Sequence, residues 1–371
     1  MLKGIDRILE YSDLLSGRRI GLICSISSVN NNLISTIDIL HKHFQLTALF
    51  GPEHGVRGDK AAGEQVEDYI DDATGVPVYS LYKNNSKRLT KEMLEQVDVV
   101  VYDLQDLGVR YYTFVSTLIY ALEDCAKAGK QLIVLDRPNP LGGNIIEGNI
   151  LNPDYQSFVG AYPLPVRYGL TPGELAIMVN EEEKLGCDLT VIPCEGWSRD
   201  EIFTRTGQIW VMPSPGIPRF ETALLYPGTC LFEGTNISEG RGTSCPFEII
   251  GAPFINAGRL VEELRNRKLP GVNFTPAYFI PTSSKYSGEP CNGIHIHITD
   301  YHTFESYRTG LVLLETIRDL YPQDFKFLPF INLLSGSNIF ENTGWTSDEI
   351  LKENEEGLQE FRKKKEKYHI Y

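Results

Sequence analysis

"VDVVVYDLQDLGVRYYTFVSTLIYALEDCAKAGKQLIVLDRPNP" occupies residues 97–140. It opens on a continuous apolar run (97–103) that reads as a strand. "TFVSTLIYALEDCAKAG" (113–129) reads as a helix, and "QLIVLD" (131–136) as another strand. Upstream the same alternation appears in "RRIGLIC" (18–24), a helix over 33–44 and "LTALF" (46–50). Downstream, "TPGELAIMVNEEEKLG" (171–186) has Pro and Gly at its start and Gly at its end, the boundary signals of a helix. "CDLTVIP" follows as a strand. Short apolar strands separated by helices imply a parallel sheet covered on both faces, an α/β fold.

Near residue 210 the texture changes to a long stretch rich in Pro, Gly, Ser and Thr, "MPSPGIPRFETALLYPGTCLFEGTNISEGRGTSCPFEIIGAPF". Loops of that length in a compact protein tend to be functional. Beyond it lie a helix (257–268), strands at 271–280 and 293–299, a helix at 303–319 and two terminal helical stretches. The expected organisation is an N-terminal domain over 1–212 and a second, smaller α/β domain over 213–371.

A chain of 371 residues is long enough for two domains, and 42% apolar with 23% charged residues is the profile of an ordinary globular protein. The net charge of −14 opposes a phosphate-tracking surface and argues against nucleic acid as a partner. The basic run Arg362 to Lys365 reads as the solvated face of a terminal helix. Seven cysteines show no CxxC and no zinc-like Cys/His spacing, which suggests reduced thiols and a cytoplasmic protein. The opening "MLKGIDRILEYSDLL" has no long apolar segment, so neither a signal peptide nor a membrane span is expected.

No cofactor is expected. The turn "CSISSVNNN" (24–32) after the first strand lacks the glycines that let backbone approach a pyrophosphate. The "FEGTNISEGRGTS" segment (232–244) lacks the lysine-bearing phosphate-loop pattern. Its glycines suit backbone that approaches a sugar or peptide, with a mobile middle that could close as a lid. His295 and His297 share one strand face, but with no third ligand nearby in sequence no metal site is assigned.

In open parallel sheets ligands bind beyond the carboxyl ends of the strands. Three strands here end in polar turns. The first runs into "GPEHGVRGD", with Glu53, His54, Arg57 and Asp59 among glycines. The second offers Asp103, Gln105, Asp106, Arg110, Tyr111 and Tyr112, and the third Asp136, Arg137 and Asn139. Glu53 beside His54 and Arg57 reads as chemistry more than as a turn cap. His54 and Asp106 read equally well as local hydrogen-bonding groups or as site residues. Asp103 reads as satisfying backbone donors, and Asp136–Arg137 as an ion pair holding the Pro-rich turn. Tyr111 and Tyr112, neighbours on an extended segment, should face opposite ways, one to the core and one to a site. No GxSxG elbow and no cysteine in a catalytic-looking turn is present, which leaves acid–base work by carboxylates as the leading chemistry.

"LFGPEHGVRG", "YDLQDLGVRYYT", "LDRPNPLGG", "LTPGELA", "YPGTCLFEGTNISEGRGT", "PFEIIGAPF" and "GIHIHITD" resemble, in order, the motifs of the exo-β-N-acetylmuramidase family, long listed as a domain of unknown function. The resemblance runs from about residue 5 to the C-terminus. It implies a Rossmann-like first domain, a smaller second domain and an active-site cleft between them. It further implies a peptidoglycan glycosidase that releases N-acetylmuramic acid from non-reducing ends. The family's proposed catalytic glutamate falls on Glu53. One departure is visible: Tyr168 stands in "VRYGLTPGE" where relatives commonly carry His.

A glycosidase needs a carboxylic acid aimed at the glycosidic oxygen, and a stiff Gly-Pro turn at a strand end would fix its direction. Its second carboxylate stays open among Asp106, Asp103 and Glu239, with assistance from the substrate's own N-acetyl group as a further route. The expected substrate contacts are His54, Arg57, Arg110, Tyr111, Arg137, Asn139, Arg167, Asn236 and Arg241. Arg110, Arg167 and Arg241 are candidates for the lactyl carboxylate, because Arg binds carboxylate bidentately. The alternative function is a non-catalytic muropeptide-binding or sensing protein.

Overall fold

The computed structural model describes residues 1–58, 67–83, 86–342 and 344–371. Asp59 lies outside them. Contacts divide the chain into two units: residues 1–145, 168–215 and 362–371, and residues 146–167 and 216–361.

The first unit holds β1 (Arg19–Cys24), α1 (Thr36–His43), β2 (Gln45–Gly51), β3 (Tyr69–Ile70), β4 (Pro77–Ser80), α2 (Lys91–Glu95), β5 (Val99–Asp103), α3 (Phe114–Ala128), β6 (Gln131–Leu135), α4 (Pro172–Glu182) and β7 (Leu189–Ile192). They form one seven-stranded sheet in the order β3-β4-β2-β1-β5-β6-β7. Every neighbouring pair is parallel except β3–β4. Counted without β3, the parallel strands follow the Rossmann order 3-2-1-4-5-6. The expected α/β, Rossmann-like fold is what forms. The reason is visible in β5, whose five residues are all buried because helices cover both faces of the sheet. Ile20, Leu22, Leu49, Val99, Val101 and Ile133 make the core beneath it.

Local chemistry sets the helix ends. The 33–44 segment becomes helical only at Thr36, because the Ser35 side chain caps the Ile37 amide. At α4, Thr171 accepts from the Glu174 amide and Glu174 returns the bond, a capping box with Pro172 in the first turn.

In this fold the topological switch point lies between β1 and β5. Asp103, at the end of β5, is fully buried there and pairs with Arg137, at 2.6 Å to Nε and 2.9 Å to Nη2. The Thr36 hydroxyl and Ser28 also bond to Asp103. The ion pair expected between Asp136 and Arg137 is therefore made by Asp103 instead. Adjacent side chains on an extended segment diverge. Asp136 turns the other way and accepts from Gly173 N, Thr171 Oγ1 and the Tyr371 hydroxyl.

The second unit carries an antiparallel sheet in the order β8-β10-β9, made of β8 (Ile249–Ala252), β9 (Val272–Phe279) and β10 (Cys291–Ile298). Its helices are α5 (Phe220–Thr229), α6 (Ala257–Asn266), α7 (Ser306–Leu320) and α8 (Phe330–Ser335), while α9 (Ser347–Lys365) ends among residues of the first unit. α5 lies inside the stretch read from sequence as a Pro- and Gly-rich loop. Pro227 sits in its last turns, where composition alone argues against helix. Packing overrides that bias: a Cβ on Gly228 would lie 2.1 Å from the Ser306 carbonyl oxygen, and one on Gly310 2.4 Å from that of Gly228. Only glycines let α5 and α7 approach so closely. Among the described residues no helix is long and apolar enough to cross a membrane.

Candidate active site

β2 ends at Gly51, and the chain turns at once. The Gly55 amide bonds to the Pro52 carbonyl at 3.0 Å, closing a four-residue turn with Glu53 and His54 at its centre. His54 adopts φ +75°, the left-handed conformation that such a turn demands at its third position and that residues other than glycine rarely take. Strained backbone held in this way is a recurrent mark of functional sites. His54 is buried, while Glu53 stays partly exposed. The turn thus fixes the direction of one carboxyl group and leaves it open to a ligand.

Three side chains from other segments surround that carboxyl. The Thr113 hydroxyl donates to Glu53 Oε2 at 2.7 Å. Thr113 occupies the N-cap position of α3 but makes no side-chain capping bond, so its hydroxyl serves Glu53 rather than the helix. The Tyr82 hydroxyl also bonds to Glu53, and its pKa is pushed up to about 12, by burial first and by the Glu53 charge next. The Lys87 ammonium lies 3.2 Å from the centre of the Tyr82 ring. Burial lowers the pKa of Lys87, and the attraction of Glu53 opposes that fall. A carboxyl, a hydroxyl, a phenol and an ammonium converge at one strand end.

The remaining residues of this rim lie deeper. Asp106 is buried, and its Oδ2 accepts from the Gly108 amide at 2.7 Å and from the Tyr168 hydroxyl. Among the described residues its Oδ1 makes no hydrogen bond of normal geometry. Burial pushes the pKa of Asp106 up to about 6, against the pull of the Tyr168 and Gly108 hydrogen bonds. Asn139 packs beneath Gly108, where a Cβ would lie 2.2 Å from Asn139 Nδ2, and that amide donates to the Leu170 carbonyl at 2.9 Å. Arg110 and Tyr111 are buried, and so is Tyr112, where one ring of the two was expected at a site. The charges of both Asp106 and Glu53 act on Tyr112 and help raise its pKa, although burial is the larger cause. Arg57 makes a two-pronged pair with Asp71, at 3.0 and 2.9 Å, and does not reach Glu53 through that contact.

The second unit holds the other expected contacts, each engaged locally. Arg167 pairs with Glu147 at 3.0 Å, and Glu147 in turn accepts from the Tyr307 amide. Asn236 bridges the Asp324 carbonyl and the Lys326 amide. Glu239 is buried and accepts from Lys285 Nζ at 2.8 Å. Arg241 binds Glu233 at 2.7 Å, approaches Glu239 at 3.7 Å and stacks on Phe247. The glycines of the 232–244 segment serve close packing: a Cβ on Gly234 would lie 2.6 Å from the Ile331 backbone. His295 has neighbours that the sequence did not reveal. A ligand atom each from His295, Cys245 and Glu248 lie within 4.8 Å of one another. Arg219 forks Glu248 and lies 3.7 Å from Cys245 Sγ, so two of the three groups already hydrogen-bond to a guanidinium.

Thr113, Tyr82, Lys87 and Lys285 were not singled out from sequence. Thr113 alone carried a signal, as a threonine between a strand-end polar turn and a helix.

Family models described as the N-terminal and C-terminal domains of exo-β-N-acetylmuramidase NamZ match residues 20–221 and 224–371. The chain is 49% identical to the peptidoglycan β-N-acetylmuramidase NamZ of Bacillus subtilis, over 99% of this chain and 91% of that protein. Two crystal structures of DUF1343 family proteins from Bacteroides fragilis are also similar. One is 38% identical with a TM-score of 0.92, the other 29% identical with a TM-score of 0.78. Each similarity covers 100% of this chain and 98% of the solved one.

Proposed function

The chain belongs to the exo-β-N-acetylmuramidase family, and from that premise we propose how its residues share the work. It is a glycoside hydrolase that releases N-acetylmuramic acid from the non-reducing end of peptidoglycan fragments. Glu53 is the general acid, aimed at the glycosidic oxygen by the Pro52–Gly55 turn and oriented by Thr113 and Tyr82. The observation that carries this reading is the left-handed His54 beside it, backbone strain that presents one partly exposed carboxyl at the end of a strand.

The three carboxylates considered as its partner are all buried. Asp103 is occupied by Arg137 and Glu239 by Lys285. Asp106 keeps one oxygen unpartnered among the described residues but is shielded from solvent. None is presented to a water on the far side of a sugar, as a protein general base must be. This favours assistance by the substrate's own N-acetyl oxygen at the anomeric carbon, with Glu53 protonating the leaving oxygen. Asp106, held by Tyr168, then acts by position beneath the site.

The seven thiols are free and six are buried, which fits a reducing compartment and action in the cytoplasm. Glu53→Gln should lower turnover of a chromogenic β-N-acetylmuramide by roughly two to four orders of magnitude while the protein stays folded. Near-normal turnover by that variant would remove Glu53 from the chemistry.

A further inference from the structure

A site that releases N-acetylmuramic acid must find the lactyl carboxylate that sets this sugar apart from N-acetylglucosamine, and a cation is the group suited to find it. The arginines expected in that role answer carboxylates of the chain itself. Arg167 meets Glu147, and Arg241 meets Glu233. Arg57 forks Asp71, Arg137 forks Asp103, and Arg110 is fully buried.

Lys87 differs from these in its surroundings. Its ammonium rests 3.2 Å from the centre of the Tyr82 ring, and the Tyr82 hydroxyl bonds to Glu53. Centre to oxygen in a phenol is about 2.8 Å and the hydrogen bond adds about 2.8 Å, so the ammonium lies within about 7 Å of the Glu53 carboxyl. Its neighbour Arg88 turns instead to Glu123 and Asp124 of α3. Lys87, Tyr82, Glu53 and Thr113 are all partly exposed, so the group is open to a ligand. A ring face attracts an ammonium through its quadrupole and takes none of the three N–H donors in a directed bond. A carboxylate can therefore meet the cation while the ring still holds it.

We propose that Lys87, seated on the Tyr82 ring, reads the lactyl carboxylate of the substrate and so selects muramic acid over glucosamine. The assignment rests on Glu53 as the general acid, because the span from Glu53 to Lys87 is what places both groups on one sugar. The leaving oxygen and the lactyl arm hang on ring carbons separated by a single carbon. An acid on that oxygen and an ammonium on the lactyl carboxylate therefore stand about one sugar apart, the separation that the Tyr82 bridge supplies. Tyr82 ties the two together: its hydroxyl orients the acid and its face holds the cation. Lys87 meets no reacting atom and sets specificity.

The test compares hydrolysis of a chromogenic β-N-acetylmuramide with that of its lactyl methyl ester, which keeps the arm and loses the charge. The wild-type protein should favour the free acid about 10- to 100-fold in kcat/KM, the value of a charge-assisted hydrogen bond, and mainly through KM. Lys87→Met should erase most of that preference. Lys87→Arg should keep it, because a guanidinium also stacks on an aromatic face and binds carboxylate. Glu53→Gln separates the two assignments: it should lose turnover on both substrates, yet in calorimetry still bind N-acetylmuramic acid more tightly than N-acetylglucosamine. Equal turnover of acid and ester by the wild type, or the full preference kept by Lys87→Met, would overturn the role of Lys87 while Glu53→Gln stays inactive. An active Glu53→Gln would instead undo the acid on which that role rests. The wild-type comparison stands even if Lys87→Met folds poorly.

Discussion

Thr113→Val isolates the orientation of Glu53 from the folding of the domain. Valine keeps the branched shape and loses only the hydroxyl, which donates to Glu53 Oε2 at 2.7 Å. The helix loses nothing by the change, since Thr113 makes no side-chain capping bond and its backbone carbonyl still accepts from Thr117. A hydrogen bond to a charged group contributes about 1.5–3 kcal/mol, and each 1.36 kcal/mol of barrier is tenfold in rate. If the bond holds the carboxyl on the glycosidic oxygen, kcat/KM should fall about 10- to 150-fold, mostly through kcat. Thr113→Ser, which restores the hydroxyl, should come back to within about threefold by the same reasoning. The melting temperature should fall by no more than about 2 to 4 °C, the shift that 1.5–3 kcal/mol makes against an unfolding entropy of about 2.1 cal/mol/K per residue. The assay is release of chromophore from a β-N-acetylmuramide, with calorimetric melting in parallel. A folded Thr113→Val protein that works within about twofold of wild type would refute the reasoning, and so would a loss confined to KM.

The pH dependence of stability has a defined sign. Burial raises Asp106 and Asp136 to about 6, so the folded state holds their protons more tightly than the unfolded chain does. Their share of stability is full below the ordinary aspartate value of 3.8 and is lost as pH rises through about 6. Asp71 behaves oppositely: burial resists its ionisation, but the Arg57 fork and Thr74 outweigh that, so stability falls as its carboxylate is protonated in acid. Relative to Asp106→Asn, the wild-type melting temperature should therefore fall between about pH 4 and pH 6.5, a comparison that removes the opposite pull of His369, whose pKa burial lowers to about 4, and equal slopes in the two proteins would count against the assignment. At the switch point, Asp103→Asn or Arg137→Met alone should cost about 3–5 kcal/mol by stranding a buried charge, while the double variant should regain much of it. Denaturant unfolding of all four proteins measures the coupling, and simple additivity would show that the pair acts no differently from two separate residues.

Much of this was legible in one dimension. Residues 97–136 encode a strand, a helix and a strand through apolar runs whose neighbours are a few positions apart, and the parallel sheet follows from that repeat. The Pro-Glu-His-Gly turn announced an acid on a stiff strand end, and the turn formed with Glu53 at its centre. What no local pattern carries is who meets whom across the sheet. Arg137 adjoins Asp136 in sequence but pairs with Asp103, since β6 lies beside β5 and adjacent side chains diverge. Thr113 reaches Glu53 from 60 positions away, because β2 and β5 flank β1 and end on one rim. α5 stays hidden behind Pro227 and Gly228 until Gly310 of α7 packs against it. Secondary structure is set by neighbours a few residues apart, and composition and periodicity report them. The partners of buried charges are set by strand order, and only the folded chain supplies it.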